Sequence, residues 1–423
     1  MSKSEFYQTI ADKYDNYDSI KCCNGSGHGS YNLPVEQIHS VSHEAVQEFY
    51  LTSKNTISQY PFGGTSSSQY LDFNLEQIPY TYHQFVLKFT LTNTGTSVIK
   101  YLLSPLIIDK IQILKDGNTL GFDTVDWDVL LYNLNKFNTE YNSEDYGSLY
   151  IYNNAPLTTY WQASGGAYTS LVELPIPLNR SYFLSSSIKN NLVIRIYFKN
   201  SVVLSGADSD LKLSDVNLIL RVRENSNKIK NHLINQPRLD HLFSKKLLNK
   251  YTLSSLNSGQ QYNIKLNGFN HVASLALIFL AYPSNNVNLN ATENNLWCNP
   301  VFKIDQVYIT DGSGVNINNN NKNNISYNKY LLQDTFKGLN RSLRKLSYSG
   351  DYNGEIFLLN FSGESSDAYN QPFTGGYSFK EGSDYTLNFT SLMSSNKSLE
   401  LNILWFIPAV LSLNNGDLSE TIG

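Results

Sequence analysis

The amino-acid sequence predicts an all-β protein built as two similar halves, and three observations carry that prediction. First, one strand pattern occurs twice. Ile108-Asp109-Lys110-Ile111-Gln112-Ile113 runs to Asp116-Gly117, and Ile304-Asp305-Gln306-Val307-Tyr308-Ile309 runs to Asp311-Gly312. The copies stand 196 positions apart (108 to 304), close to half of the 423 residues. That spacing far exceeds the roughly 20–50-residue periods of solenoids and propellers, so each copy belongs to a whole domain. Second, runs of period-2 alternation recur along the chain, and the strand–helix alternation of a parallel sheet is absent. Third, Phe and Tyr are abundant, at 21 and 30 residues, and both suit strands.

Residues 1–65 read as an N-terminal arm. Phe6, Ile10, Tyr14 and Tyr17 fall at helical spacing, a glycine-rich break follows at 25–29, and 35–50 has the potential for a second helix before Gly63-Gly64. The first sandwich is expected over 66–228. Phe85, Leu87, Phe89 and Leu91 line one face of a strand. Residues 107–114 hold the first copy of the repeated strand, and Trp127, Leu130, Leu131 and Leu134 then predict a short helix. The Tyr/Asn-rich stretch 138–170 is too long for an ordinary turn. Residues 171–178 read as an edge segment, because Pro175 and Pro177 cannot donate to a ladder. Strands at 192–198 and 216–222 close the half.

Residues 224–250, polar and basic with Pro237, read as a linker at the start of the second sandwich, which is expected over 229–423. Strands follow at 262–266, 272–281 and 302–309, then an asparagine-rich loop at 316–324. Tyr327, Tyr330, Leu331 and Leu332 predict a helix that matches the first. Strands at 355–361, 384–389 and 399–406 complete the set. In this reading the strand ending at Phe198 corresponds to the one ending at Phe406, 208 positions later, with Phe183 and Phe379 ahead of them. The whole is two tandem eight-stranded antiparallel sandwiches of jelly-roll size, with short helices and an N-terminal arm.

Charged residues make up 16% of the chain against roughly 25% in ordinary soluble domains. Either much of the surface is covered by neighbours, or an AT-rich genome sets the codon usage. A net charge of −4 argues against packaging nucleic acid, so no direct specific nucleic-acid binding is expected. No secretory signal is visible at the start, and no run of about 20 apolar residues suggests a membrane span. Cys22, Cys23 and Cys298 form no disulfide framework and suit a reducing cytoplasm.

Reactive constellations are not evident. His39 and His43 have the i, i+4 spacing of two metal ligands, but the residues between them are Ser40, Val41 and Ser42, so the Glu of a zincin motif is missing. The pairs Asp126/Asp128 and Glu140/Glu144 have no spacing that fixes a catalytic separation. The reading is therefore not an enzyme, with no catalytic, cofactor-binding or metal residues. The residues singled out are those of the repeat, read as structural: Ile108, Asp109, Ile111, Ile113 and Gly117, and Ile304, Asp305, Val307, Ile309 and Gly312.

The duplicated Ile-Asp-x-Ile/Val-x-Ile strand with its following helix resembles the double jelly-roll major capsid proteins of the lineage of tectivirus-like phages, adenoviruses and large DNA viruses. Residues 173–178, with Phe183 and the strand 194–198 after them, are similar to the end of the first barrel in that family. So is the C-terminal order of 385–389, 399–406 and 411–416. The resemblance covers roughly residues 70–423. It implies a homotrimer, two barrels in each of three chains imitating a hexagon, tiling an icosahedral shell. It further implies capsomer–capsomer contacts, penton and minor capsid protein partners, a possible internal membrane, outer loops at 138–170 and 312–324, and a virion location after assembly in the host cytoplasm. The rival reading is a tandem lectin-like or adhesive module of a viral fibre or cell surface, with Tyr146, Tyr150, Tyr152, Tyr160 and Trp161 as sugar contacts. A glycan-processing enzyme is the third.

Overall fold

A computed structural model describes residues 20–21, 30–31, 46–53, 69–75, 77–93, 104–136, 167–180, 183–198, 211–223, 227–281, 303–317, 328, 356–362, 375–396 and 398–422. Near the start, β1 (Ile20–Lys21) and β2 (Ser30–Tyr31) pair with each other.

The first sandwich has eight strands: β3 (Val46–Thr52), β4 (Gln69–Leu75), β5 (Thr81–Asn93), β6 (Ile108–Lys115), β7 (Asn118–Val125), β8 (Ala167–Glu173), β9 (Leu192–Phe198) and β10 (Leu211–Arg223). They form two antiparallel sheets in the orders β3-β10-β5-β8 and β4-β9-β6-β7. Successive strands alternate between the sheets except at the β6–β7 hairpin, which is jelly-roll interleaving. Period-2 alternation explains the core directly. Phe85, Leu87 and Phe89 of β5 face Leu71 and Phe73 of β4, Ile111 and Ile113 of β6, and Ile194 and Ile196 of β9. Helix α1 (Asp126–Lys136) follows β7 and buries Trp127, Leu130 and Leu131, three of the four residues that predicted it.

The second sandwich comprises β11 (Arg238–Leu253), β12 (Gln261–Lys265), β13 (Val272–Ala273), β14 (Leu275–Ala281), β15 (Ile304–Asp311), β16 (Phe357–Asn360), β17 (Tyr377–Ser378), β18 (Tyr385–Ser391) and β19 (Leu399–Asn414). Its sheets, β11-β19-β14-β16 and β12-β18-β15, repeat the first sandwich strand for strand. The place of β7 falls within 318–355, of which Asn328 alone is described. A last strand, β20 (Asp417–Ile422), pairs with the end of β19. The fold is a tandem pair of jelly rolls, as the alternation predicted.

Four expectations need correction. The strand 192–198 does not correspond to 399–406. It is β9, flanked by β4 and β6, and its counterpart is β18, flanked by β12 and β15; β19 takes the place of β10. Hydrophobic alternation identifies a strand, but only its hydrogen-bonded neighbours assign its place. The correct pair starts 193 positions apart (192 to 385), nearer the 196 of the repeat.

The second correction concerns residues 224–250, read as linker: from Arg238 on they belong to a 16-residue strand, Arg238–Leu253, paired with β19 along its whole length. It is an edge strand whose lysines meet acidic partners, so its polarity marks ion pairing. Helix α2 (Asn227–Asn235) makes the join. Third, Val46–Thr52, which overlaps the end of the helix expected over 35–50 of the arm, is a strand of the first sandwich. Fourth, the second Asp-Gly is no tight turn. Asp116-Gly117 joins β6 to β7 directly with positive φ at both residues, the type I′ signature, whereas Asp311–Val315 is a wider loop with the left-handed position at Gly314.

The expected helix at 4–17, His39 and His43, Cys22 and Cys23, Cys298, Glu140 and Glu144, the aromatic loop residues 146–161 and most of the predicted second helix lie outside the described residues. No helix among those described is long and apolar enough to cross a membrane.

Candidate functional site

The repeat residues occupy equivalent places in separate cores. Ile108, Ile111 and Ile113 are buried in the first core, and Ile304, Val307 and Ile309 in the second, with Asp109 and Asp305 half-buried at the strand starts. Both strands are irregular at that aspartate: the register with β9 shifts between Ile108 and Lys110, and with β18 between Asp305 and Tyr308, where Gln306 has φ 52°. The Ile-Asp repeat is thus the signature of a duplicated β-bulge, which bends a strand and increases its twist. Gly117 sits in its tight turn, and Gly312 packs 3.5 Å from Asp384 Cβ, measured from where a Cβ would stand. The structure does not bring the two copies together.

What it does bring together is a seam between the sandwiches. β14 is buried at all seven positions, and the continuous apolar run LALIFLA explains why. Ala276, Ile278 and Leu280 face the second core, while Leu275, Leu277, Phe279 and Ala281 face outward onto the first. Antiparallel strands with one wet face alternate apolar and polar, so an unbroken run marks a sheet covered on both sides. The cover comes from α1, whose Trp127 ring lies 4.2 Å from that of Phe279, centroid to centroid. Asp128, in the first turn of α1, is 3.8 Å from Lys246 of β11.

At one end of the seam two hairpins lie side by side. Asn415-Gly416, with φ of 49° and 90°, joins β19 to β20 as Asp116-Gly117 joins β6 to β7. Lys115 Nζ is 2.6 Å from Asp417 Oδ1 and donates to the Leu418 carbonyl at 2.8 Å. Asn190 Nδ2 donates to Asp116 Oδ2 at 2.8 Å and Asp417 Oδ1 at 3.1 Å, and its Oδ1 accepts the Leu418 N–H at 2.9 Å. Lys189 N–H reaches the Gly416 carbonyl at 2.8 Å. The Lys115 ammonium, then Asn190, hold the Asp417 carboxyl below its usual range, and the Asn191 N–H does the same for Asp116.

Farther along, Lys245 of β11 donates to the Gly121 carbonyl of β7 and lies 3.0 Å from Glu420 Oε1. Burial pushes the Glu420 carboxyl up, against the opposing pull of Lys245. Gly121 has φ 95°, and a Cβ there would collide with Glu420 Oε2, so the carboxylate occupies the space glycine leaves.

Each sandwich also carries an asparagine clamp that the sequence reading missed. Asn133 of α1 donates to the Glu173 carbonyl at 2.8 Å and accepts its N–H at 3.1 Å. Asn328 donates to the Ile356 carbonyl at 2.6 Å and accepts the Leu358 N–H at 2.8 Å. A signal existed: Tyr132-Asn133 and Tyr327-Asn328 recur 195 positions apart, nearly the offset of the Ile-Asp strand.

The described carboxylates do structural work. Asp126 Oδ1 accepts the Trp127 N–H at 2.8 Å, placing negative charge at the positive end of α1, as Asp128 also does. Asp72 holds Arg195 through two hydrogen bonds of 2.7 and 2.8 Å, which raise the guanidinium's affinity for its proton. Among the described residues no group of three His, Cys, Asp or Glu is placed to hold a metal.

No protein-family model and no curated protein matches the chain. Solved structures do. VP54 of the virus PBCV-1, whose crystal structure was fitted into a reconstruction of the virophage Sputnik, is 13% identical over 90% of this chain and 96% of its own, with a TM-score of 0.60. The Faustovirus major capsid protein is 9% identical over 96% of both chains, TM-score 0.56. A chain of the Sputnik virophage structure is 12% identical over 96% and 93%, TM-score 0.54. At such identities the likeness is one of fold. The chain has the double jelly-roll fold found in viral major capsid proteins, across nearly its whole length.

Proposed function

We propose that this protein is a major capsid protein, and that three copies form a pseudo-hexagonal capsomer that tiles an icosahedral virus shell. The observation that carries the reading is the seam. A pair of sandwiches with the same topology is held side by side through a shared apolar core, an ion-paired hairpin and a buried Lys–Glu contact. A binding module needs no such fixed relation between tandem domains, whereas a hexagon built from three chains needs one. The division into two units follows: a first barrel from about Val46 to Arg223, a second from Arg238 onward, and an arm before them that locks neighbouring subunits. Penton and minor capsid proteins are the expected partners, the virion is the expected location, and the role is structural rather than catalytic. Native mass measurement tests the proposal. It should find a stable trimer of three times 47.9 kDa, and a monomer that binds glycans would overturn it.

A further inference from the structure

The chain holds four Asn-Gly dipeptides, of which Asn24-Gly25 and Asn353-Gly354 lie outside the described residues. The other two, Asn267-Gly268 and Asn415-Gly416, differ in how firmly their backbone is held. At the β19–β20 hairpin the Asn415 N–H donates to the Pro237 carbonyl and the Gly416 carbonyl accepts the Lys189 N–H, both at 2.8 Å. A Cβ on Gly416 would stand 2.7 Å from Lys189 Cγ, so that side chain lies against the glycine. Asn267-Gly268 follows β12 as a turn in which Gly268 has φ 77° and Asn267 a negative φ, the pattern of a type II turn. Both residues are exposed, and nothing lies within 4 Å of where a Gly268 Cβ would stand. Neither the Asn267 amide nor the Gly268 N–H has a hydrogen-bond partner among the described residues. The residues on either side are anchored. Leu266 and Phe269 are buried, the Leu266 N–H donates to the Tyr385 carbonyl at 2.8 Å, and the Phe269 ring stacks 4.1 Å from that of Trp405.

We propose that Asn267 is a site of spontaneous modification, at which the side-chain amide is lost to attack by the Gly268 nitrogen. Hydroxide takes the Gly268 amide proton, and the nitrogen adds to Asn267 Cγ to close a succinimide ring. The bond from Cγ to Nδ2 breaks, and that nitrogen leaves as ammonia with a proton from water. Water then opens the ring at either carbonyl, leaving aspartate or isoaspartate, so no oxidant or enzyme is needed. Glycine suits the step because no side chain shields its nitrogen, and an untethered surface turn permits the rotation about the asparagine Cα–C bond that the attack requires. Asn415 must first give up its contacts to Pro237 and Lys189, which is a local opening with its own free-energy cost. The isoaspartate product runs the main chain through the former side chain and adds a methylene between the anchors Leu266 and Phe269. A close-packed core transmits such an insertion, so the product should loosen Phe269 from Trp405. With age each copy thus gains a carboxylate and a weaker second core, and neither change reverses.

Peptide mapping of the full chain, held in warm and mildly alkaline buffer, tests the site. The peptide containing position 267 should gain the mass of an amide-to-acid conversion and split into two chromatographic products. Its rate should exceed that at 415 by roughly tenfold or more, because the held turn has to open first. Asn267→Gln, an exposed change whose longer side chain closes a ring far more slowly, should fold as wild type does. Aged wild type should melt below fresh protein, while aged Asn267→Gln keeps the melting temperature of its fresh sample. An amide retained at 267, or one lost as fast at 415, overturns the site. Conversion at 267 with an unchanged melting temperature overturns its effect on the second core. The readouts do not involve oligomeric state, so the capsomer reading stands or falls separately.

Discussion

Asn133 and Asn328, 195 positions apart, make similar pairs of backbone hydrogen bonds, each amide donating to one carbonyl and accepting one N–H: both from Glu173 for Asn133, from Ile356 and Leu358 for Asn328. Both side chains are buried. Replacing either with Ala removes two hydrogen bonds to strand backbone, at an expected cost of about 2–3 kcal/mol. Urea denaturation of Asn133→Ala and Asn328→Ala measures it, and the clamp reading fails if both lie within about 0.5 kcal/mol of wild type, the range of ordinary surface changes.

Two glycines separate conformational strain from collision. Gly117 has φ 86° and open space around it, so Gly117→Ala should cost about 1–2 kcal/mol from backbone strain alone. Gly121 carries the same strain and also faces the Glu420 carboxylate, so Gly121→Ala should cost more. Pairing it with Glu420→Ala should bring its cost back toward that of Gly117→Ala. Stability that is simply additive in the double variant would refute the contact.

Trp127 is the largest first-sandwich side chain against β14. Trp127→Ala should cost about 3–5 kcal/mol, as large aromatic deletions in cores do. Because the loss falls between the sandwiches, calorimetry should show one unfolding transition broadening or splitting into two. A single sharp transition at lower temperature would place the residue in the first core alone.

The seam responds to acid in two opposed ways. Burial raises the folded-state pKa of Glu420, so its ionised form destabilises the fold at neutral pH and that cost is relieved as pH falls toward its raised value. Asp417 is lowered by Lys115 and Asn190, so it stabilises above its unfolded pKa, and that contribution is lost as pH falls through its folded value. Melting temperatures from pH 7 to 3 should therefore show Glu420→Gln differing from wild type least on the acidic side, and Asp417→Asn differing most near neutrality. A pH-independent difference for both would rule the account out.

Much of the fold was legible because jelly-roll strands with one buried face alternate, as at Phe85–Phe89 and Ile108–Ile113. The bulge hidden in the Ile-Asp repeat was not, since a register shift leaves no fixed residue type. Residues 238–250 read as linker because a charged edge strand and a polar linker share a composition until the ion-pair partners Asp128, Glu400 and Glu420 are known. The strand equivalence failed because β9 and β19 are both strongly apolar whereas β18, the true counterpart of β9, is not, and pairing partners alone reveal the match. The run at 275–281, seven consecutive apolar residues in an antiparallel protein, carries the signal of a second covered face.

That strand has a mechanical consequence. β14 is a wall common to two rooms, and close-packed interiors pass displacement on rather than absorb it. A displacement of Trp127, packed on Phe279, moves the backbone that also carries Ile278 and Leu280 in the other core. Strain applied to one barrel is thereby expected to reach its twin, so that the pair should respond to load as one stiff unit.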